Sequence, residues 1–162
     1  METMSSGTLT GEARIWIYQA DRFLNEQEDA CVYRKIEGLL AGWNTHGKHL
    51  TAEAWIEDHL FLILAVDESQ QYASGCSIDQ STNVIRMIGN RINVDFFERM
   101  NFAYLDSAGI PRLISHKEMP KLYEKNVIGD DTLFYDTTLN KKEDWVNQKL
   151  KPLGESWHKR FV

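Results

Sequence analysis

Hydrophobic and polar positions follow a helical period in the first third of the chain. Apolar residues recur at spacings of three and four after Asn25, and Asn25 and Glu28 have the spacing of a capping box. The pattern predicts an amphipathic helix from Asn25 to about Gly47, because glycine favours a left-handed helix end. The apolar face of this helix comprises Val32, Ile36, Leu39, Leu40 and Trp43.

Three segments have the composition of strands. Residues 14–19 are rich in β-branched and aromatic side chains, residues 51–57 alternate in polarity, and residues 60–66 are continuously apolar. The polar pair at 58–59 predicts a tight hairpin between the last two segments. Because residues 60–66 carry no polar face, we expect them to form a central strand covered on both sides.

Helical and strand-like patterns mix without a regular order in the rest of the chain. Hairpin strands interspersed with helices predict an α+β domain, in which a small antiparallel or mixed sheet with a central hairpin is packed by several amphipathic helices. Three further strands are predicted, at 73–78, near 102–104 and at 133–137. Three further helices are predicted, at 81–93, from Ser115 or Pro120 to about Lys125, and from Asn140, the last interrupted by Pro152 and carrying His158 on its exposed side.

The composition is that of one globular domain. A chain of 162 residues, 43% hydrophobic and 26% charged, is long enough to bury a core of its own. No apolar run reaches the ~18 residues that a bilayer-spanning helix needs, and no basic-then-apolar segment predicts a secretory signal. We therefore expect a flexible leader over residues 1–12, a single domain over 13–162, and no membrane insertion.

Charge and cysteine content narrow the expected partners. The net charge of -6 argues against nucleic-acid binding, which needs a concentrated basic face. Two cysteines are too few for a disulfide framework or a thiolate zinc site, and reduced thiols fit a cytoplasmic protein. The sequence leaves the cofactor unknown, and it leaves open a homodimer.

Residues 42–49 spell GWNTHGKH, which matches the phosphate-binding pattern GxxxxGK[ST] at every position except the last. In that motif a strand enters the loop and a helix follows, so that the helix N-terminus faces the phosphates. Here the predicted helix precedes the glycines and a predicted strand follows them. His49 also stands where a hydroxyl should bind magnesium, so the sequence does not predict an ATP-hydrolysing site.

Five short stretches, WIYQADRF, HGKHL, LAVDES, SGCSID and VDFFERM, together resemble a family of small, uncharacterised bacterial proteins. Members of this family often carry the label "ABC transporter ATPase". The resemblance spans most of the chain, from about Ile15 to the C-terminal helix. It implies no established activity, cofactor or catalytic residue that can be carried over to this chain.

Two polar segments are predicted to meet at one end of the sheet. If Asp58 centres the hairpin, residues whose numbers sum to about 116 lie opposite each other in the antiparallel ladder. His49 then faces Asp67, and Lys48 faces Glu68. Polar groups at the exit of a buried strand are a common arrangement for a site. The candidate residues are His46, Gly47, Lys48, His49, Asp67, Glu68 and Ser69.

This cluster is compatible with several chemistries. Asp67 or Glu68 beside His49 can form an acid–base pair, which typically contributes ~10²–10⁴-fold to a rate. His46 and His49 with a carboxylate also suit zinc or manganese, although we assign no metal. Lys48 and nearby backbone amides can hold an anion. Each feature also has a structural explanation, as turn hydrogen bonds for Asp67 and as surface ion pairs for the lysine.

Two further residues are weaker candidates. Cys76 precedes a predicted helix start, where a lowered pKa would make the thiol nucleophilic, but we favour the alternative of a thiol buried on a strand face. Trp55 is predicted to share a strand face with polar side chains. It then marks a ligand groove or a dimer contact, or it packs in a second core layer under the C-terminal helices.

The sequence favours a binding function over catalysis, because no complete catalytic signature is present. We expect a small polar or anionic ligand, or a partner protein, to bind at the end of the sheet formed by residues 46–49 and 67–69. The alternative is a hydrolase-type enzyme that uses an Asp/Glu–His acid–base pair, with or without a metal.

Overall fold

The structure, a computed structural model, describes residues 9–162, which contain four α-helices, three short 3-10 helices and nine strands. The helices are α1 (Glu26–Gly42), α2 (Gly75–Ile92), α3 (Met119–Glu124) and α4 (Lys142–Gln148). The strands are β1 (Arg14–Gln19), β2 (Asn44–Thr45), β3 (Lys48–His49), β4 (Thr51–Glu57), β5 (Phe61–Asp67), β6 (Asn101–Leu105), β7 (Pro111–Ser115), β8 (Leu133–Tyr135) and β9 (Leu150–Pro152). The fold is α+β, as predicted.

The central sheet is antiparallel and has the strand order β1-β5-β4. Strand β5 lies in the middle, and all of its residues except Asp67 are buried. This confirms that the continuously apolar segment is a strand covered on both faces. Strand β1 spans the predicted residues, and β4 and β5 form the predicted hairpin.

The two faces of this sheet pack against different parts of the chain. The ring of Trp16 in β1 lies 6.4 Å from that of Trp43, the residue that follows α1, which places the end of α1 on one face. On the other face the ring of Phe61 lies 4.8 Å from that of Tyr135 and 5.3 Å from that of Trp145, measured between centroids. The sheet is therefore the middle layer between the long helices and the C-terminal third of the chain.

A second antiparallel sheet, with the order β7-β6-β8-β9, has its own small core. That core contains Phe102, Tyr104, Ile114, Met119, Ile128, Phe134 and Leu153. The side-chain amide of Gln19 in β1 donates to the carbonyl of Asn101 in β6 at 2.8 Å, which ties the two sheets together.

Helix α1 begins as predicted and ends earlier than predicted. The Asn25 side chain accepts from the Glu28 N–H and the Glu28 carboxylate accepts from the Asn25 N–H, forming the capping box. The helix ends at Gly42, and the predicted end at Gly47 is wrong. Gly47, with φ +79, instead occupies a turn between β2 and β3, where a positive φ is also needed.

The predicted strand at 73–78 is wrong, because α2 already begins at Gly75. The Ser74 hydroxyl accepts from the Ser77 N–H and caps the helix. At its other end α2 stops at Asn93, whose φ of 57 provides a left-handed C-cap.

The hairpin register differs from the prediction by two residues. Glu57 pairs with Phe61 and Thr51 pairs with Asp67, because the connection contains three residues and is not centred on Asp58. An even shift leaves every side chain on its predicted face but changes which residues are neighbours.

The two ends of the chain also differ from expectation. Residues 1–8 of the predicted leader lie outside the described residues. Leu9 is attached to the domain, since its N–H donates to the Glu53 carboxylate and its carbonyl accepts from the Lys142 ammonium group. Near the C-terminus, Pro152 ends strand β9 and does not interrupt a helix.

Candidate functional site

The predicted basic segment forms a small hairpin of its own. In this hairpin Asn44 pairs with His49 and Thr45 with Lys48, so the predicted pairing of His49 with Asp67 and of Lys48 with Glu68 is wrong. The physical reason is that a chain turning at Gly47 pairs β3 with its own preceding segment, before the central hairpin starts.

The acidic segment serves mainly to shape the turn after β5. The Asp67 carboxylate accepts from the Ser69 N–H at 2.9 Å. Hydrogen bonding with the Ser69 side chain, and then with this N–H, holds the pKa of Asp67 below its usual value. The Glu68 carboxylate accepts from the Ala73 N–H at 2.8 Å and lies 3.7 Å from the Arg14 guanidinium. These contacts match the structural explanation of the acidic pair.

The basic and acidic segments share one end of the sheet, but among the described residues no hydrogen bond or ion pair joins their side chains. Because Thr51 pairs with Asp67, the Cα atoms of His49 and Asp67 lie within about 13 Å of each other. Among residues 9–162, the side chains of His46, Lys48 and His49 form no hydrogen bond or ion pair. No group of three or more histidine, cysteine or carboxylate side chains in this described part is placed to hold a metal ion.

The other two candidates are Trp55 and Cys76. Trp55 is only 3% exposed, and its indole N–H donates to the Glu57 carboxylate at 3.1 Å. The Lys142 ammonium group of α4 lies 5.8 Å from the centroid of the Trp55 ring. Trp55 therefore occupies the second of its two predicted positions, in the core layer under the C-terminal helices. Cys76 is exposed in the first turn of α2, and the favoured buried strand position is wrong.

A cleft of about 710 Å³ lies along the outer edge of β1, and we call it the arginine cleft. One wall is α2, and the other walls are the segments 96–101 and 137–140 together with Trp157. Clefts of ~300–1,000 Å³ are the usual size of ligand sites. The position follows from the sheet order, since β1 is an edge strand that the chain covers only in part.

Three arginines give this cleft its charge. Arg14, Arg86 and Arg99 line it, and among the described residues that line it only Glu98 carries a carboxylate. Arg14 pairs with Glu68, whereas neither Arg86 nor Arg99 has a carboxylate partner among the described residues. In a protein of net charge -6, this local excess of positive charge favours an anionic ligand.

Aromatic rings hold two of the arginines in place. The Arg14 guanidinium lies 4.5 Å from the Trp16 ring centroid, and that of Arg86 lies 4.7 Å from the Phe97 centroid. Stacking of this kind fixes the plane of a guanidinium while its N–H groups stay available for a carboxylate or phosphate. Tyr18 packs edge-on against Phe97, with the ring centroids 5.6 Å apart. Burial raises the pKa of the Tyr18 hydroxyl.

A second pocket, of about 520 Å³, contains a histidine–aspartate pair. The His59 Nδ1 and Asp29 Oδ2 atoms are 2.5 Å apart. The His59 carbonyl accepts from the Leu24 N–H, which further fixes this residue, whose φ is 54. Burial raises the pKa of Asp29, and its Oδ1 atom has no hydrogen-bond partner among the described residues.

Carboxylates surround this histidine. The Tyr135 hydroxyl donates to Asp58 at 2.6 Å, next to the histidine, and Glu26 and Glu57 also line the pocket. An aspartate that orients an imidazole is the arrangement of a general base, and the surrounding negative charge suits a cationic substrate. We call this the His59 pocket.

Comparison with protein-family models, with curated proteins and with solved structures found no match for this chain. The resemblance to small bacterial proteins therefore stays a prediction. Among residues 9–162, no helix is both long enough and apolar enough to cross a membrane.

Sequence reasoning missed both of these sites for the same reason. A search for basic runs cannot find the arginine cleft, because Arg14, Arg86 and Arg99 come from a strand, a helix and a loop. His59 was correctly assigned to the hairpin turn, but its partner Asp29 is 30 positions away on α1. The sequence did predict the capped helix that has Asp29 in its first turn, and this position is the feature by which Asp29 could have been found.

Proposed function

We propose that this protein is a binding domain that holds an anionic ligand, with carboxylate or phosphate groups, in the arginine cleft. The single observation that carries the proposal is the pair Arg86 and Arg99, which line a large cleft and lack a carboxylate partner among the described residues. Guanidinium groups recognise carboxylate and phosphate through paired N–H donors. This keeps the function class expected from the sequence and moves its location.

The predicted site at residues 46–49 and 67–69 contributes to this proposal through its acidic segment. Glu68 contacts Arg14, so the acidic segment holds one of the arginines at the end of the cleft. The contact between Arg14 and Glu68 is weak, with 3.7 Å between the charged atoms. A ligand that replaced Glu68 in this contact would bind a third guanidinium group, that of Arg14. The net charge of -6 disfavours binding to a polyanion, so the proposed ligand is not a nucleic acid.

Titration calorimetry with citrate and with inorganic phosphate tests the proposal. We expect citrate to bind the native protein, and we expect Arg86→Gln and Arg99→Gln each to weaken binding at least tenfold. Arg91→Gln is the matched control, because Arg91 is also an exposed arginine of α2 and does not line the cleft.

The Arg91 control separates specific binding from general attraction, because salt screens both. The affinity of the cleft for citrate should fall as the sodium chloride concentration rises from 20 to 200 mM, because salt screens the partly exposed charges of the arginines. Equal weakening by Arg91→Gln and Arg86→Gln, or no binding of either anion at 20 mM salt, would refute the arginine cleft as an anion site.

A second candidate function is acid–base catalysis in the His59 pocket, supported by the 2.5 Å contact between His59 and Asp29. This corresponds to the hydrolase-type alternative from the sequence, with a different aspartate–histidine pair. A panel of p-nitrophenyl esters with cationic acyl groups is the appropriate probe, because carboxylates line this pocket.

The native protein should hydrolyse at least one ester faster than free imidazole at the same concentration, and His59→Gln should remove this excess. His116→Gln is the control, since His116 is a half-exposed surface histidine outside the pocket. If the His59 and His116 variants have equal rates, the catalytic candidate is wrong.

Both cysteines are free thiols, which supports the proposal that the protein works in a reducing compartment such as the cytoplasm. The family resemblance adds the proposal of a bacterial origin, without adding an activity.

A further inference from the structure

The outer edge of β1 has a row of main-chain groups that point away from the sheet. The Ala20 N–H donates to the Leu60 carbonyl in the direction of β5, so the even-numbered residues of this strand bond inward. The Ile15 N–H donates to the Asn140 carbonyl and thus points outward. Because main-chain groups alternate between the two sides of an antiparallel strand, those of Ile17 and Gln19 also point outward.

The chain covers this edge at both ends and leaves the middle open. Segment 140–142 pairs with the start of β1, since Asn140 accepts from Ile15 and the Lys142 N–H donates to Ala13. At the other end the Asp21 N–H donates to the Asp95 carbonyl. Between these two contacts, the main-chain N–H and C=O of Ile17 have no partner among the described residues.

The open stretch is part of the floor of the arginine cleft. It lies between the paired residues Ile15 and Asp21 and contains the outward-pointing residues Ile17 and Gln19. The distance from Ile15 to Gln19 is about 13 Å at the usual rise of a strand. Unpaired edge groups of this kind are a template for another extended chain. A small anion would use the guanidinium groups and leave this row of donors and acceptors unused.

Side-chain placement indicates which peptide would fit. Arg14, Trp16 and Tyr18 share one face of β1, and it is the face that α2 covers, because Trp16 packs edge-on against Trp43 and the Trp43 indole donates to Ser77 of α2. Arg86 lies on the same side. Alternate residues of an added strand would therefore meet arginines on that face.

We propose that the arginine cleft binds an extended peptide with acidic residues at alternate positions, which pairs with β1 through the main chain of Ile17. This inference rests on the proposed anion-binding function and names its ligand class. Adding a strand to an open sheet edge is a general mode of peptide recognition, in which main-chain bonds supply affinity and alternate side chains supply specificity. A second copy of β1 is a poorer occupant, because it would bring its own Arg14 into the cleft.

Amide hydrogen exchange measured by NMR provides a direct test. The probe is an acetylated, amidated hexapeptide of alternating glutamate and valine. Its binding should slow exchange of the Ile17 amide at least tenfold. The Tyr18 amide, which points inward to β5, is the internal control and should change little.

Two altered peptides isolate the two components of recognition. Replacing the glutamates by lysines should abolish binding, because the charge is reversed against three arginines. N-methylation of alternate peptide amides leaves the charge of the peptide unchanged. When the methylated amides are those that face β1, strand pairing is lost and binding should weaken at least tenfold. Methylating the other set of amides is the matched control and should leave binding intact.

The outcomes distinguish this inference from the function on which it rests. If citrate binds in the arginine-dependent way but the hexapeptide leaves Ile17 exchange unchanged, the strand pairing is refuted and the anion site stands. If neither citrate nor hexapeptide depends on Arg86 and Arg99, both are refuted. Concentration-dependent protection of Ile17 without any peptide would point to a second copy as the occupant and would also overturn the proposal.

Discussion

His158 is the clearest case of a side chain whose surroundings differ from the sequence-based expectation. It was predicted on the exposed side of a helix, yet it is 1% exposed and stacks on Trp157 with the ring centroids 3.7 Å apart. Its Nδ1 atom lies 2.6 Å from the Ser156 hydroxyl. Burial lowers the pKa of His158 from 6.5 to about 4. The ring is therefore a neutral part of the second core.

The depressed pKa makes stability depend on pH. Between pH 6.5 and about 4 the unfolded chain binds more protons than the folded protein, so the free energy of unfolding should fall as pH is lowered through this window. This pKa difference contributes at most about 3 kcal/mol to the free energy of unfolding. Urea denaturation at pH 7, 5.5 and 4 measures it.

Two variants show whether His158 is responsible. His158→Phe keeps an aromatic ring against Trp157 and cannot titrate, so its unfolding free energy should change less between pH 6.5 and 4. His116→Gln should retain the native pH dependence. An unchanged pH profile in His158→Phe would contradict the assignment.

The ion pair between Glu53 and Lys142 is a second residue-level feature with a measurable effect. The Glu53 carboxylate is 1% exposed, and its Oε1 atom lies 2.6 Å from the Lys142 Nζ atom. Lys142→Met should destabilise the protein by about 3 kcal/mol, because a carboxylate is left buried without its cation. Adding Glu53→Gln should recover part of this loss. If the double variant is as unstable as the sum of the two single variants, the residues are not coupled.

Helix capping explains which element boundaries the sequence could predict. The box formed by Asn25 and Glu28 is present in the sequence, and the structure confirms it. Helix α2 was missed at its start because Ser74 is followed at the third position by Ser77, which does not complete the motif. Asn140 and Glu143 have the right spacing, but the Asn140 carbonyl bonds to Ile15 and α4 begins only at Lys142. Tertiary pairing there overrides the local signal.

Two helical glycines should respond in opposite ways to a methyl group. A Cβ atom at Gly89 of α2 would lie 2.4 Å from the Val94 carbonyl oxygen, whereas one at Gly38 of α1 would meet nothing within 4 Å. We expect Gly89→Ala to destabilise the protein by about 1–3 kcal/mol through overpacking. We expect Gly38→Ala to stabilise it by about 0.5–1 kcal/mol through helix propensity. Thermal denaturation of both variants tests this, and stabilisation by Gly89→Ala would contradict the close approach.

The two sheets are joined by several contacts that cross the molecule. Gln19 binds Asn101, Tyr135 of β8 packs on Phe61 of β5, and the Tyr135 hydroxyl donates to Asp58. These contacts join the second core to the first, so we expect the whole described part to unfold as one unit.

A deletion in the second core tests this cooperativity. Leu153 is fully buried there, and Leu153→Ala should lower the free energy of unfolding by about 2–5 kcal/mol. If the two sheets unfold together, the loss should be the same when measured by the NMR signals of Trp43, in the first core, and by those of Phe102, in the second. Separate transitions at the two probes would show two independent units.

The α+β class, the buried central strand, the hairpin and the start of α1 follow from hydrophobic periodicity and one capping motif. These signals act over a few residues, so they can be read from neighbouring letters. The hairpin register, the burial of His158 and both candidate sites depend on residues far apart in the chain. The arginines meet because an edge strand, α2 and a loop border one cleft, and no local pattern encodes that meeting. Folding brings them together through burial of apolar surface, which places polar side chains only as a consequence.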